Sequence, residues 1–362
     1  MDNPILLEDL DYIYNKLSPC ERQKLVGATV LITGCAGFLG YSFLHFFVRF
    51  AERLGVRHII GLDNFMLDRP RWLAALCERG APVLEVSSFD IITGDIASIA
   101  RAQDVDYVMH MASIASPTFY RKYPIETLDA NVWGLRRLLN FYADKPIKGF
   151  LFFSSSEIYG DPAPEHIPTD EEYRGNVSCI GPRACYDEAK RFGETMCYLF
   201  AQKYNLPITI ARPFNNYGPG MSPHDKRVPA DFARAIIEGR DIEIFSDGTP
   251  TRTFCYVADA VAGYLKVLLH GKFDYFNIGM DKPEVPIREL GDIYVEAARQ
   301  VFDYRGKLLL VPPPDAAYLA HNPNRRCPNI QKARNLLGFD PEVTIRAGVE
   351  RFLRFLKHEV QR

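Results

Sequence analysis

Two side chains that could move a proton stand four residues apart, Tyr186 and Lys190, in Gly181-Pro182-Arg183-Ala184-Cys185-Tyr186-Asp187-Glu188-Ala189-Lys190. On a helix that spacing puts both on one face, one turn apart. An ammonium beside a phenol favours the phenolate and lowers its pKa from about 10. A phenolate near neutrality can take the proton of a hydroxyl group whose carbon is losing a hydride. The same pair would also suit an amphipathic helix with a snorkelling lysine, so its neighbours decide. Upstream, Ser154, Ser155 and Ser156 close an apolar run and precede Glu157. A serine hydroxyl there can hydrogen-bond the reacting oxygen and pass its proton to Tyr186. A carboxylate there would act as an acid, a base or a repelling charge. Further on, Lys226, Arg227, Arg252, Arg325 and Arg326 could surround a diphosphate, for which the planar guanidinium fork is suited.

A hydride needs an acceptor, and the start of the chain has the pattern to hold one. The apolar run Thr29 to Thr33 reads as a buried strand. It is followed by Gly34, Gly37 and Gly40 and then by an apolar helical segment, Tyr41 to Ala51. Strand, glycine turn and helix make a dinucleotide-binding start, with the pyrophosphate at the helix N-terminus. A second strand, His58 to Leu62, runs into Asp63. An acid at about that distance, roughly twenty residues beyond the glycines, hydrogen-bonds the ribose hydroxyls of NAD and repels the extra phosphate of NADP. NAD is therefore the expected cofactor.

Positioning these groups requires a sheet whose strand ends meet at one edge. Strands expected at Thr29–Thr33, His58–Leu62, Phe89–Thr93, Tyr107–Met111 and Gly149–Ser154 alternate with helical segments. That alternation predicts an α/β fold with a doubly wound parallel sheet of Rossmann type. The small residues after the fourth strand, Met111-Ala112-Ser113, leave room for a cofactor at the carboxyl edge. Residues 1–26 read as a helical extension. Residues 27–213 read as the dinucleotide-binding domain with the Tyr/Lys helix, and 214–362 as a smaller mixed α/β substrate domain with some strands crossing back.

The 362 residues carry a net charge of −2, with 24% charged and 47% hydrophobic. No basic excess suggests nucleic acid, and no apolar run suggests a membrane span. The acidic N-terminus lacks the basic start of a signal peptide. The eight cysteines form no Cys-x-x-Cys pair, which predicts reduced thiols, no metal site and a cytoplasmic protein.

Thr33-Gly34-Cys35-Ala36-Gly37-Phe38-Leu39-Gly40, with Tyr186 and Lys190, resembles the extended short-chain dehydrogenases/reductases. Ser155-Ser156-Glu157-Ile158-Tyr159-Gly160-Asp161-Pro162 and the Gly181–Glu188 stretch are similar to the UDP-glucuronate decarboxylases (UDP-xylose synthases). So are Arg227-Val228, Thr251-Arg252-Thr253-Phe254 and Asn324-Arg325-Arg326-Cys327-Pro328-Asn329-Ile330. The resemblance spans nearly all of 29–355. It implies that Phe38, Leu39, Asn64, Met111, Ala112, Ser113, Asn131 and Pro213 lie on the cofactor side, with Asp95 and Ile96 flanking the adenine. Ser155 would be the proton shuttle. Ser156 and Glu157 would sit near the sugar carboxylate, and Arg326 would assist decarboxylation. Arg252 would lie near the diphosphate, with Asn215, Arg227, Val228 and Arg325 also on the nucleotide sugar, most simply a UDP-sugar. The helices Asn131 to Tyr142 and Tyr186 to Tyr204 would pair with their copies in a homodimer.

The implied reaction oxidises the sugar at C4, which makes a ketone β to the C5 carboxylate and lets CO2 leave. Two departures keep other outcomes open. Gly220 stands where the family usually has Arg, and Arg212-Pro213-Phe214-Asn215-Asn216-Tyr217 reads more like sugar epimerases and dehydratases. A 4-epimerase is thus the second reading and a 4,6-dehydratase the third. A non-catalytic NAD-sensing protein is the alternative of another class.

Overall fold

The computed structural model describes residues 3–312 and 323–361. The chain opens with helices α1 (Pro4–Lys16) and α2 (Pro19–Lys24), and then alternates. In order come β1 (Thr29–Thr33), α3 (Phe38–Leu54), β2 (His58–Asp63), α4 (Arg71–Gly80), β3 (Leu84–Ser88) and β4 (Tyr107–His110). Helices α5 (Pro117–Lys122), α6 (Pro124–Asp129) and α7 (Leu135–Tyr142) lead to β5 (Gly149–Phe153), α8 (Ala184–Tyr204) and β6 (Ile208–Pro213). A seventh strand, Asp274–Ile278, returns to the sheet edge beside β6. The sheet runs Asp274–Ile278, β6, β5, β4, β1, β2, β3, and every pairing is parallel. The strand order reverses between β1 and β4, so the loops after those strands part there and leave a crevice at their carboxyl ends.

The sheet is buried on both faces because its strands are apolar on both faces. Val30 and Ile32 of β1 point into one core with Phe43, Phe46 and Phe47 of α3, while Leu31 points into the other with Val108, Leu139, Met196 and Phe200. Beyond β6 the chain adds α9 (Val228–Ile237), α10 (Val257–Leu268), α11 (Ile287–Phe302), α12 (Gln331–Leu337) and α13 (Ile345–Val360). Among the described residues it also forms three small sheets, one of them Thr251–Arg252 between Val285–Pro286 and Arg325–Arg326.

The third strand corrects the sequence reading. It is Leu84–Ser88, and the segment expected as that strand, Phe89–Thr93, lies beyond it and turns over residues 91–93. As the sheet edge, β3 buries only Leu84 fully and so looks polar. Phe89 still donates to the Asp63 carbonyl (2.8 Å), after which Gly94 donates back to Asp90 (2.7 Å) and the chain folds over the strand ends. The helix expected from Asn131 is also interrupted, by a π-turn over Ala130–Gly134 before α7.

The N-terminal helices are tied to the far end of the chain. Asp9 is 4% exposed and accepts from the Tyr256 hydroxyl (2.6 Å) and Arg351 (2.6 Å). Burial pushes its carboxyl up to about 6, against the pull of Arg351. The folded protein therefore holds a proton that the unfolded chain, with Asp near 3.9, releases. The ionised form costs stability, and that cost appears as pH rises from about 4 to about 6. Urea unfolding should show Asp9→Asn gaining on the wild type by about 2–3 kcal/mol between those limits. A difference independent of pH would contradict this.

Candidate active site

The crevice is a cleft of about 560 Å³. Its floor is the glycine turn. Gly34 adopts φ +71°, and a Cβ there would lie 2.8 Å from the Ala112 backbone nitrogen. At Gly40 a Cβ would lie 2.2 Å from the Cys35 carbonyl oxygen, so α3 packs this close to the turn only because the position is glycine. Asp63 is pinned across the turn, its two carboxylate oxygens accepting from the amides of Ala36 (2.9 Å) and Phe65 (2.9 Å). Burial raises its pKa, and those two amides oppose the rise. Gly34, Gly37, Phe38, Leu39, Asp63, Asn64, Met111, Ala112, Ser113 and Pro213 all line the cleft. A helix N-terminus, a glycine floor and a fixed acid form the cradle that a dinucleotide needs.

Three residues on the cofactor side are placed differently from the sequence reading. Asp95 is exposed and caps a short 3₁₀ turn through the Ala97 amide (3.0 Å), while Ile96 is buried in the core. With β3 ending at Ser88, the pair that reaches the cleft is Asp90 and Ile91. Asn131 is fully buried and does not line the cleft. It donates to the Ser113 hydroxyl (2.9 Å) and to the Thr127 carbonyl (2.7 Å), so it supports a lining residue from behind.

The residues expected to transfer protons are gathered where β5 ends. Ser154 turns away to Glu194 of α8 (2.6 Å). Ser155 caps the 3₁₀ turn that holds Glu157, accepting from the Glu157 amide (3.2 Å), and hydrogen-bonds to Tyr186. Tyr186 stacks on Tyr120 with centroids 5.2 Å apart. Lys190 lies 5.6 Å from the centre of the Tyr186 ring and donates to the Phe153 carbonyl (2.6 Å). The expected lowering of the phenol by Lys190 is corrected here. Burial pushes Tyr186 up to about 12, eased by its bond to Ser155, and burial lowers Lys190 to about 7. The dry pocket that positions the pair also disfavours charge on either member.

Beside Tyr186 lies a cluster of guanidinium groups. Parallel pairing sets Arg326 opposite Arg252, bringing both to the cleft. Arg325, one residue earlier, turns to the other face by strand alternation. It pairs with Glu284 (2.6 Å) and stays outside the cleft, against the expectation that it meets substrate. Glu157 Oε2 receives Arg326 (2.6 Å) and also Arg183, which the sequence reading left without a role. Arg183 in turn reaches Asp187 (3.4 Å), one helical turn on. The i,i+4 spacing of Arg183 and Asp187, inside the motif that carries Tyr186, was the available signal. Burial would raise the Glu157 carboxyl, but Arg183 and Arg326 hold it down to about 2. Burial and the nearby charge of Arg326 lower Arg252 to about 9. Ser156, Asn215, Arg227 and Val228 also line the cleft, with Arg227 paired to Asp225 (2.5 Å). Gly220, at φ +90°, backs onto Tyr41. A Cβ there would lie 2.6 Å from that ring, so this backbone admits no arginine.

Comparison with known proteins agrees with this architecture. Residues 30–279 match the NAD dependent epimerase/dehydratase family. The chain is 33% identical over 338 residues to UDP-glucuronic acid decarboxylase 6 of Arabidopsis thaliana, covering 92% of this chain and 90% of that protein. It is 31% identical to UDP-glucuronic acid decarboxylase 1 of Xenopus tropicalis, covering 92% and 73%. Among solved structures, UDP-glucose 4-epimerase of Thermotoga maritima, crystallised with UDP-glucose, superposes with a TM-score of 0.76 at 25% identity. That match covers 92% of this chain and 99% of the epimerase.

The pinned Asp63 generates a binding prediction. In fluorescence titrations the protein should bind NAD in preference to NADP, and Asp63→Ala should weaken NAD and relax that preference. Wild-type protein that takes NADP at least as tightly would sink the assignment of Asp63 to the ribose.

Proposed function

The chain belongs to the NAD dependent epimerase/dehydratase family, and on that premise we propose that it decarboxylates a nucleotide hexuronate of the UDP-glucuronate kind. One observation carries this reading beyond the family. Arg183, Arg252 and Arg326 bring three positive charges to one end of the cleft against the carboxylates of Glu157 and Asp187, in largely buried surroundings. The displaced pKa of Arg252 shows how strongly burial and like charge oppose another cation there. An anionic sugar group relieves that imbalance, and a neutral hexose does not.

In this mechanism Tyr186 takes the proton of the C4 hydroxyl, with Ser155 bonded to the same oxygen. NAD, which Gly34, Gly37 and Asp63 would hold in the cleft, would supply the hydride acceptor and a positive ring beside the Tyr186 phenol. Once C4 is a ketone, the bond from C5 to the carboxyl carbon breaks. Its electron pair moves into the C4 enolate, and CO2 leaves. Tyr186 and Ser155 stabilise the charge on the enolate oxygen. Glu157 is ionised and orders the water that protonates C5. Arg326 and Arg183 hold the carboxylate until it departs. Tyr186 gives its proton back to the C4 oxygen. The sum is a hexuronate and a proton going to a pentose and CO2, with no net redox change.

A second reading, 4-epimerisation, is favoured by the loop Arg212 to Tyr217 and by the fold shared with the 4-epimerase. Product analysis separates the two. With UDP-glucuronate, wild type should release CO2. Arg326→Ala should still reduce NAD transiently but release CO2 about two orders of magnitude more slowly. Wild type that returns the C4 epimer with no CO2 would overturn the decarboxylase reading.

The outer surface supports a two-fold partner. Ile125, Trp133, Phe192 and Leu199 are each more than half exposed, on α6, the π-turn and α8. A second copy covering these helices buries them symmetrically. Light scattering at micromolar concentration should give twice the 41.2 kDa chain mass, and Trp133→Glu should halve it. A monomeric wild type would refute the dimer.

A further inference from the structure

Arg183 needs its own anchor if it is to hold a carboxylate that must leave, and the fold supplies one. Arg183 is the N-terminal cap of α8 and Asp187 lies in its first turn, the Asp187 amide donating to the Arg183 carbonyl (3.0 Å). The side chains meet again, Arg183 Nε donating to Asp187 Oδ2 (3.4 Å). The other end of the guanidinium reaches Glu157 Oε2, the oxygen that also receives Arg326. A continuous chain, Asp187 to Arg183 to Glu157 to Arg326, thus links α8, the turn after β5 and the short strand Arg325–Arg326. Resting on the decarboxylase reading, we propose that Asp187 is a positioning residue of the carboxylate step, holding Arg183 in register with Glu157 and the sugar carboxylate when it is ionised and releasing it when it is protonated.

Asp187 does not line the cleft, whereas Arg183 does, so its influence passes through Arg183. It is 6% exposed, and its Oδ1 has no hydrogen-bond partner among the described residues. A carboxylate kept dry and half satisfied is costly. The groups facing it are Glu157 from the turn after β5, Arg326 from its short strand and Tyr120 from α5. Arg183, Cys185 and Tyr186 face it from its own segment. Burial and the Glu157 charge push Asp187 up to about 7, against Arg183 and Arg326. The anchor therefore changes charge where Glu157, held down to about 2, does not. Lys190 and Tyr186 act at the C4 oxygen and remain in place in an Asp187 variant, so the pH dependence lost in that variant is the anchor's.

The test is single-turnover reaction with UDP-glucuronate on both sides of neutrality, following transient reduction of NAD and released CO2 separately. In wild type the CO2 released per sugar oxidised should rise with pH through neutrality. Asp187→Asn should leave oxidation unchanged, hold CO2 release about 10-fold lower and remove its pH dependence. Arg183→Lys keeps the charge but cannot span Asp187 and Glu157, and it should flatten the profile too. Wild-type pH dependence in both variants would overturn the proposal. So would equal losses in both steps with a lowered melting temperature, the mark of a merely structural role. Wild-type protein that oxidises the sugar and releases no CO2 would fail the decarboxylase reading itself, before any variant is compared.

Discussion

Parallel pairing of all seven strands is the constraint on which the rest of this molecule depends. It puts every carboxyl end at one edge of the sheet, so each loop that follows a strand must enter or border the same crevice. β1 delivers the glycine turn, β2 Asp63, β4 the small residues from Met111 on, and β5 the serines and Glu157. No one of these segments is a site. The sheet makes them one, and the apolar faces of α3 and α8 cover it on its two sides.

Electrostatics divides the cleft into two regions. Around Tyr186 and Lys190, burial disfavours charge on both partners. A few residues away, the guanidinium groups overwhelm the same burial at Glu157 and keep it charged. In the proposed function the first region exchanges a proton with a substrate oxygen and the second receives an anion. Their adjacency follows from two short stretches, Ser154 to Glu157 and Arg183 to Lys190, each contributing to both.

The sequence made the central strands legible because β1, β2, β4 and β5 are mostly apolar, bounded by glycines or polar breaks. It made Tyr186 and Lys190 legible as neighbours because helical spacing puts them on one face, while the choice of Ser155 among three serines came from the family resemblance. It misled at β3, where an edge strand looks polar and the turn beyond it is apolar because it covers the cleft. That slip placed the Asp-Ile pair at Asp95 and Ile96, whereas Asp90 and Ile91 are the ones that line the cleft. Arg325 was misplaced for lack of a register. Only the pairing of Arg326 with Arg252 tells which of two neighbouring arginines faces inward. Arg183 was missed although its i,i+4 spacing to Asp187 was readable, because its other partner, Glu157, meets it only in the packed structure. Asn131 was aimed at the cofactor because its bond to Ser113 shows only there too.

Gly220 and Tyr41 restrict which relatives of this sequence can be reached by substitution. The ring fills the space where a side chain at 220 would begin, and the backbone there is left-handed. Neither position can drift alone: enlarging 220 requires first reducing 41, whose ring is also packed against Trp72 and Phe355. The two residues are therefore epistatic. A lineage carrying this pair is confined to handling the substrate without a cation at 220, and an engineer wishing to restore one must redesign the start of α3 in the same step.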